Sequence, residues 1–185
     1  MAPVTRPLRA DARRNRECLL ETAARAFATI GPDVPLESIA KDAGVGIGTL
    51  YRHFPTRGAL IEAVYRNELC NLCEAAATLL RDLPADAALR AWMDRFVGYV
   101  ATKRGLADAL RAVASAGENP FAESRTRLLT TVGLLLEAGV AAGSVRTDVA
   151  AEDVLAAVHG LTLTATDPEQ AHRLLDLLMD GLRSR

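Results

Sequence analysis

The chain has 185 residues, half of them hydrophobic, with 22 basic and 23 acidic side chains and a formal net charge of −1. That composition suits one domain, or a small domain attached to a larger one, and excludes wholesale disorder. It also argues against a membrane span, because the apolar stretch over residues 128–145 is interrupted by Gly133, Glu137 and Gly139. Arg6 and Arg9 precede no apolar segment, so no signal peptide is expected, and Cys18, Cys70 and Cys73 are too few for a disulfide scaffold. The expectation is a soluble, cytoplasmic protein of a reducing compartment.

Residues 1–11, with two prolines and little apolar content, read as a disordered basic tail. A first helix is predicted over residues 12–30, with Cys18, Leu19, Ala23, Ala26, Phe27 and Ile30 at helical spacing, and Gly31-Pro32-Asp33 stops it. A short helix over 36–43 buries Leu36, Ile39, Ala40 and Ala43; Gly44 ends it where a positive φ lets the chain turn. Another short helix over 47–54 is closed by Pro55, and Thr56 caps a long helix over 57–81. Pro84 opens a helix to 103, Gly105 a shorter one to 115, and Asn119-Pro120 one that reaches 142, where Gly143-Ser144 breaks it. Two helices follow, over 151–165 and 168–182, the latter with Asp167 as cap, Pro168 in the first turn and Gln170 completing a capping box. Aromatic residues are only 4% of the chain, which disfavours a sheet. The fold class is all-α, about nine helices, with no internal repeat.

Charge is uneven along this string. Residues 1–60 carry nine basic and six acidic groups, so the first third is +3 and the remainder −4. Within that basic third, the two short helices around Gly44-Val45-Gly46 have the spacing of a helix-turn-helix, whose second helix enters the DNA major groove. Leu36, Ile39, Ala40, Val45, Leu50 and Phe54 would pack inward, leaving Gly46, Ile47, Gly48, Thr49, Arg52 and His53 outward. Small early residues allow close approach to base edges, and Arg52 is a bidentate donor suited to guanine O6 and N7. Thr49, Tyr51 and His53 can donate to phosphate oxygens, and Arg57 adds an anion site. Arg14, on the first helix, completes the candidate DNA-binding set. A plain helical hairpin, in which Gly-Val-Gly is only a turn, has the same spacing.

The run from Ile39 through Phe54 to Leu60, Ile-Ala-Lys-Asp-Ala-Gly-Val-Gly-Ile-Gly-Thr-Leu-Tyr-Arg-His-Phe-Pro-Thr-Arg-Gly-Ala-Leu, resembles the signature of the TetR family of transcriptional regulators. The preceding Ala23-Ala24-Arg25-Ala26-Phe27 does as well, and the body around Trp92-Met93-Asp94-Arg95-Phe96 and Thr102-Lys103-Arg104-Gly105 is similar to an actinobacterial branch of it. The resemblance implies a three-helix head over residues 12–60 and a C-terminal effector-binding and dimerisation domain over 61–185. It implies a homodimeric repressor on a palindromic double-stranded operator, released by a small molecule. It also implies phosphate contacts from Thr49, Tyr51, His53 and Arg57 and base reading by Ile47, Gly48 and Arg52. The chain departs from the family pattern at two places. Gly46-Ile47 replaces a frequent Ser-Lys, and Pro35 replaces a frequent capping Thr, so fewer phosphate contacts are expected there, with Ile47 within reach of a thymine methyl.

A dimer also follows from the residues themselves. Val154, Leu155, Ala157, Val158, Leu161 and Leu163 surround most of the penultimate helix, and Leu174, Leu175, Leu177, Leu178 and Leu182 form a wide apolar face on the last. A helix apolar nearly all round needs cover on two sides. The candidate interface is Val154, Val158, Leu161, Leu174, Leu178 and Leu182, and a deeply buried helix in a monomer is the alternative. The resemblance places an effector site in the body, with Trp92, Phe96, Tyr99 and Phe121 as candidates; plain core is the other reading of that spacing. Few polar groups are available to orient a charged ligand, so a largely apolar effector is expected. Cys70 and Cys73 form a single C-x-x-C within a helix. Zinc would need two more ligands, so buried structural cysteines are favoured over a redox switch, and no metal or cofactor is expected. An enzyme is disfavoured by the lack of a glycine-rich loop after a strand, a nucleophile elbow or a metal-binding helix motif. A helical interaction module without DNA binding is the remaining alternative, opposed by Tyr51, Arg52, His53 and Arg57.

Overall fold

The computed structural model describes residues 6–115 and 123–184. Among them are nine α-helices: α1 (Arg6–Thr29), α2 (Leu36–Asp42), α3 (Ile47–His53), α4 (Arg57–Asp82), α5 (Ala85–Gly105), α6 (Ala107–Ser115), α7 (Ser124–Ala141), α8 (Ala151–Thr164) and α9 (Pro168–Leu182). The all-α expectation holds, and none of the helices is long and apolar enough to cross a membrane. Asn119-Pro120, the expected start of α7, and Phe121 lie outside the described residues.

One boundary needs correction. Residues 6–11 are helical rather than part of a disordered tail. Pro7 reads as a breaker in isolation, yet in a first helical turn its missing N–H is no loss, and Leu8, Arg9 and Ala10 are good helix formers. Ion pairs between Arg14 and Asp11 and between Arg13 and Glu17 (3.5 Å) lie along the same turns.

The chain divides into two compact units. One takes the described residues of Met1–Asn67 and Thr102–Pro120, the other those of Glu68–Ala101 and Phe121–Arg185. The division falls inside α4 rather than at residue 60, and α6 groups with the head rather than the body. The first unit closes over Leu19, Leu20, Ala23 and Phe27 of α1, Ile39 of α2, Leu50 of α3, Leu60 and Val64 of α4, and Leu106 and Leu110, all buried. The core of the second unit includes Leu89, Trp92, Met93, Val132, Leu135, Val158 and Leu175.

Local chemistry sets several of the joints. Gly44 ends α2 at φ 70°, where a side chain would be strained. Thr56 Oγ1 accepts from the Ala59 N–H at 3.0 Å, and Asp167 Oδ1 from the Gln170 N–H at 2.7 Å. After α7 the chain returns through Val145, which bridges to Arg183 in an antiparallel step. A Cβ at Gly139 would collide with Val145, so only glycine lets that return lie against the helix.

Candidate nucleic-acid interface

α3 is seven residues long and is positioned by its ends and one face. Leu50 and, just after it, Phe54 are buried, and the Phe54 N–H closes the last turn on the Leu50 carbonyl at 2.8 Å. With those residues inward, the helical period turns Gly48, Tyr51 and Arg52 outward as one stripe, and all three are exposed, Tyr51 by 44%. Gly46 is exposed just before it, Ile47 and Thr49 are half-buried, and His53 is half-buried with its ring 6.1 Å from that of Phe54. Val45, expected inward, is half-buried. Neither Pro35 before α2 nor Gly46 before α3 supplies a side-chain cap.

Two arginines act on the frame of this helix. Arg57 is half-buried, and its Nη1 donates to the carbonyls of Pro32 and Val34, both at 2.7 Å. It therefore ties the α1–α2 connection to the first turn of α4, which engages part of a guanidinium that the sequence assigns to phosphate. Arg16, exposed on α1, lies over the Phe54 ring with its guanidinium carbon 5.5 Å from the centroid. It was not singled out from the sequence, because nothing local links it to a residue 38 positions further on. Arg14 is exposed and paired with Asp11.

In the second unit the candidates separate. Trp92, Phe96 and Tyr99 are all buried on α5, in ring contact at 5.6 and 5.9 Å, and Trp92 Nε1 donates to the Leu72 carbonyl at 2.9 Å. Phe96 also meets His159 edge-on at 6.4 Å. Of the six interface candidates, Val154, Val158 and Leu182 are corrected to core: each is already buried within one chain, on the sides of α8 and α9 that face their own unit. Leu161, Leu174 and Leu178 are half-buried, and the most open apolar groups are two outside that set, Leu163 (48% exposed) and Leu177 (67%). Arg90 ties α5 to α9 through Asp94 (2.5 Å) and Asp176 (2.7 Å); burial opposes its charge, but these partners outweigh it and keep the guanidinium more firmly protonated than usual. Cys70 and Cys73, expected buried, are both half-buried, because their side of α4 carries polar partners instead of an apolar cover.

A short anchored helix, presenting small, aromatic and cationic groups after a glycine turn, defines a helix-turn-helix DNA-binding protein. The description of bacterial regulatory proteins of the tetR family matches residues 19–64, and that of the C-terminal domain of SbtR-like transcriptional regulators matches residues 84–184. The chain belongs to the TetR family and is a DNA-binding transcriptional regulator, not an enzyme. It is similar to the TetR transcriptional regulator SCO0520 from Streptomyces coelicolor, at 49% identity and a TM-score of 0.86, over 91% of this chain and 98% of that one. A TetR regulatory protein from Mycobacterium vanbaalenii is 38% identical with a TM-score of 0.80, over 96% and 99% of the two chains. Curated HTH-type transcriptional regulators of Staphylococcus aureus are 38% identical over 63 residues, a match spanning 34% of this chain and 34% of theirs.

Proposed function

We propose that the chain is a homodimeric repressor whose two α3 helices read the halves of a palindromic operator and whose C-terminal helices take a small-molecule effector that releases the DNA. The observation that carries this reading is the outward stripe of Gly48, Tyr51 and Arg52 on a helix anchored from behind by Leu50. Arg52 reads a guanine, Gly46 and Gly48 let the backbone approach the base edges, and Ile47 meets a thymine methyl. Thr49, Tyr51 and His53 donate to phosphates, with Arg14 and the free part of the Arg57 guanidinium adding charge.

The open apolar face of Leu161, Leu163, Leu174, Leu177 and Leu178 supports a four-helix interface between α8, α9 and their twofold copies. Doubling the head also multiplies the phosphate contacts that one small module can make. The aromatic group of Trp92, Phe96 and Tyr99, with Phe121 as a further candidate, favours a largely apolar effector. Because the three described rings are close-packed, such a molecule reaches them by displacing side chains.

Selection of random double-stranded DNA by the purified protein at two salt concentrations tests the reading, with the solution mass measured alongside. The expected result is an enriched palindrome, an affinity that falls steeply with salt, and the mass of two chains. An absence of any enriched sequence, after removal of co-purified small molecules, would overturn it.

A further inference from the structure

We propose that Cys70 and Cys73 form a hydroperoxide-reactive dithiol, with Cys70 the attacking sulfur and Cys73 the one that closes the bridge. The two are three residues apart on α4, on one side of the helix, and neither is fully buried. Cys70 Sγ donates to Glu74 Oε1 at 3.0 Å. Arg127 comes from α7, hydrogen-bonds Cys70 and lies within charge range of Cys73; the bond to Cys70, opposed by a smaller desolvation, holds its guanidinium more firmly protonated than usual. One sulfur therefore has a carboxylate to take its proton and a cation to steady the charge left behind. Those are the surroundings of a reactive cysteine, whereas inert structural cysteines sit in apolar ones.

The chemistry balances with one hydroperoxide. The Cys70 sulfur attacks the terminal oxygen, the O–O bond breaks, and the thiol proton leaves with the departing alkoxide as an alcohol, or as water from hydrogen peroxide. Cys70 is then a sulfenic acid. The Cys73 sulfur displaces its hydroxyl, which takes the Cys73 proton and leaves as water. Two thiols lose two electrons to the peroxide and become a disulfide. Side chains at this spacing hold their Cβ atoms roughly 5–6 Å apart, against about 3.5–4.5 Å in a disulfide, so closure tightens a turn of α4 and yields a readily reduced bridge.

The test treats the reduced full-length chain with stoichiometric hydrogen peroxide and maps each thiol by alkylation and mass spectrometry over time. Cys18, exposed on α1, is the internal comparator. Cys70 and Cys73 should lose two hydrogens as a bridge well before Cys18 is oxidised, and dithiothreitol should restore both. Arg127→Ala should slow the reaction about tenfold, as the loss of one charge-assisted hydrogen bond implies, and Arg127→Lys should recover part of it. In Cys73→Ser a sulfenic acid should be trapped on Cys70. Circular dichroism checks that each variant keeps its helices. Oxidation of Cys70 no faster than that of Cys18, or an undiminished rate in a folded Arg127→Ala, would overturn the proposal.

Discussion

Gly48 occupies a helical position where nothing in the fold asks for glycine. A Cβ there would meet no atom within 4 Å, and its φ is not positive, unlike Gly44, which the turn requires. A helical glycine gives up about 0.5–1 kcal/mol relative to alanine, so its use on the outward stripe of α3 points to something the helix must approach closely. Gly48→Ala is expected to raise the melting temperature slightly while weakening operator binding; tighter binding in the variant would remove Gly48 from the DNA interface. Arg52→Ala should cost about 1–3 kcal/mol and relax the selected sequence at one symmetric base pair. An unchanged operator preference would assign the reading to another residue. Arg57 differs in kind, since its bonds to Pro32 and Val34 serve the frame of the head before any contact with phosphate.

At the scale of the element, α9 shows how a helix is started by its own residues. Asp167 accepts from the Gln170 N–H, and Gln170 reaches back to the Thr166 N–H at 2.6 Å, with Pro168 in the first turn. The Gln170 N–H, and to a lesser degree the Thr166 hydroxyl, holds the Asp167 carboxyl below the usual carboxylate range against a desolvation that works the other way. A carboxyl depressed in the folded state contributes stability that is present above its unfolded value, about 3.9, and lost as pH falls through the folded value. Melting temperatures followed from pH 6 downward should therefore fall less steeply below about pH 4 in Asp167→Ala than in the natural chain. Identical acid slopes would mean that the cap contributes nothing to folding. α7 is ended differently, by Gly139 making room for Val145 and by Gly143 turning at φ 69°.

For the whole molecule, the decisive feature is which apolar groups one chain cannot cover. Leu177 is two-thirds exposed, so a charge there leaves the folded chain intact and acts only on association. Leu177→Glu is expected to halve the mass seen by light scattering at micromolar concentration with helicity unchanged. A dimer that persists would place the interface away from α8 and α9. Val158→Glu is the contrast: its buried position predicts loss of the fold itself.

The sequence by itself determined the helices, their caps and the head, because those signals act within a few residues. Thr56, Asp167 and Gly44 are legible for that reason, as is the period that turns Leu50 inward and Arg52 outward. Only the tertiary structure decided which side of an all-apolar helix is spent on its own core. Val154, Val158 and Leu182 read the same as Leu163 and Leu177 along the chain, yet the first three are buried and the last two are open. The same holds for Arg57, whose acceptors lie 23 and 25 residues away, for Arg16 over Phe54, and for Arg127 beside Cys70. Helical periodicity records that a face is apolar; long-range packing determines what that face meets.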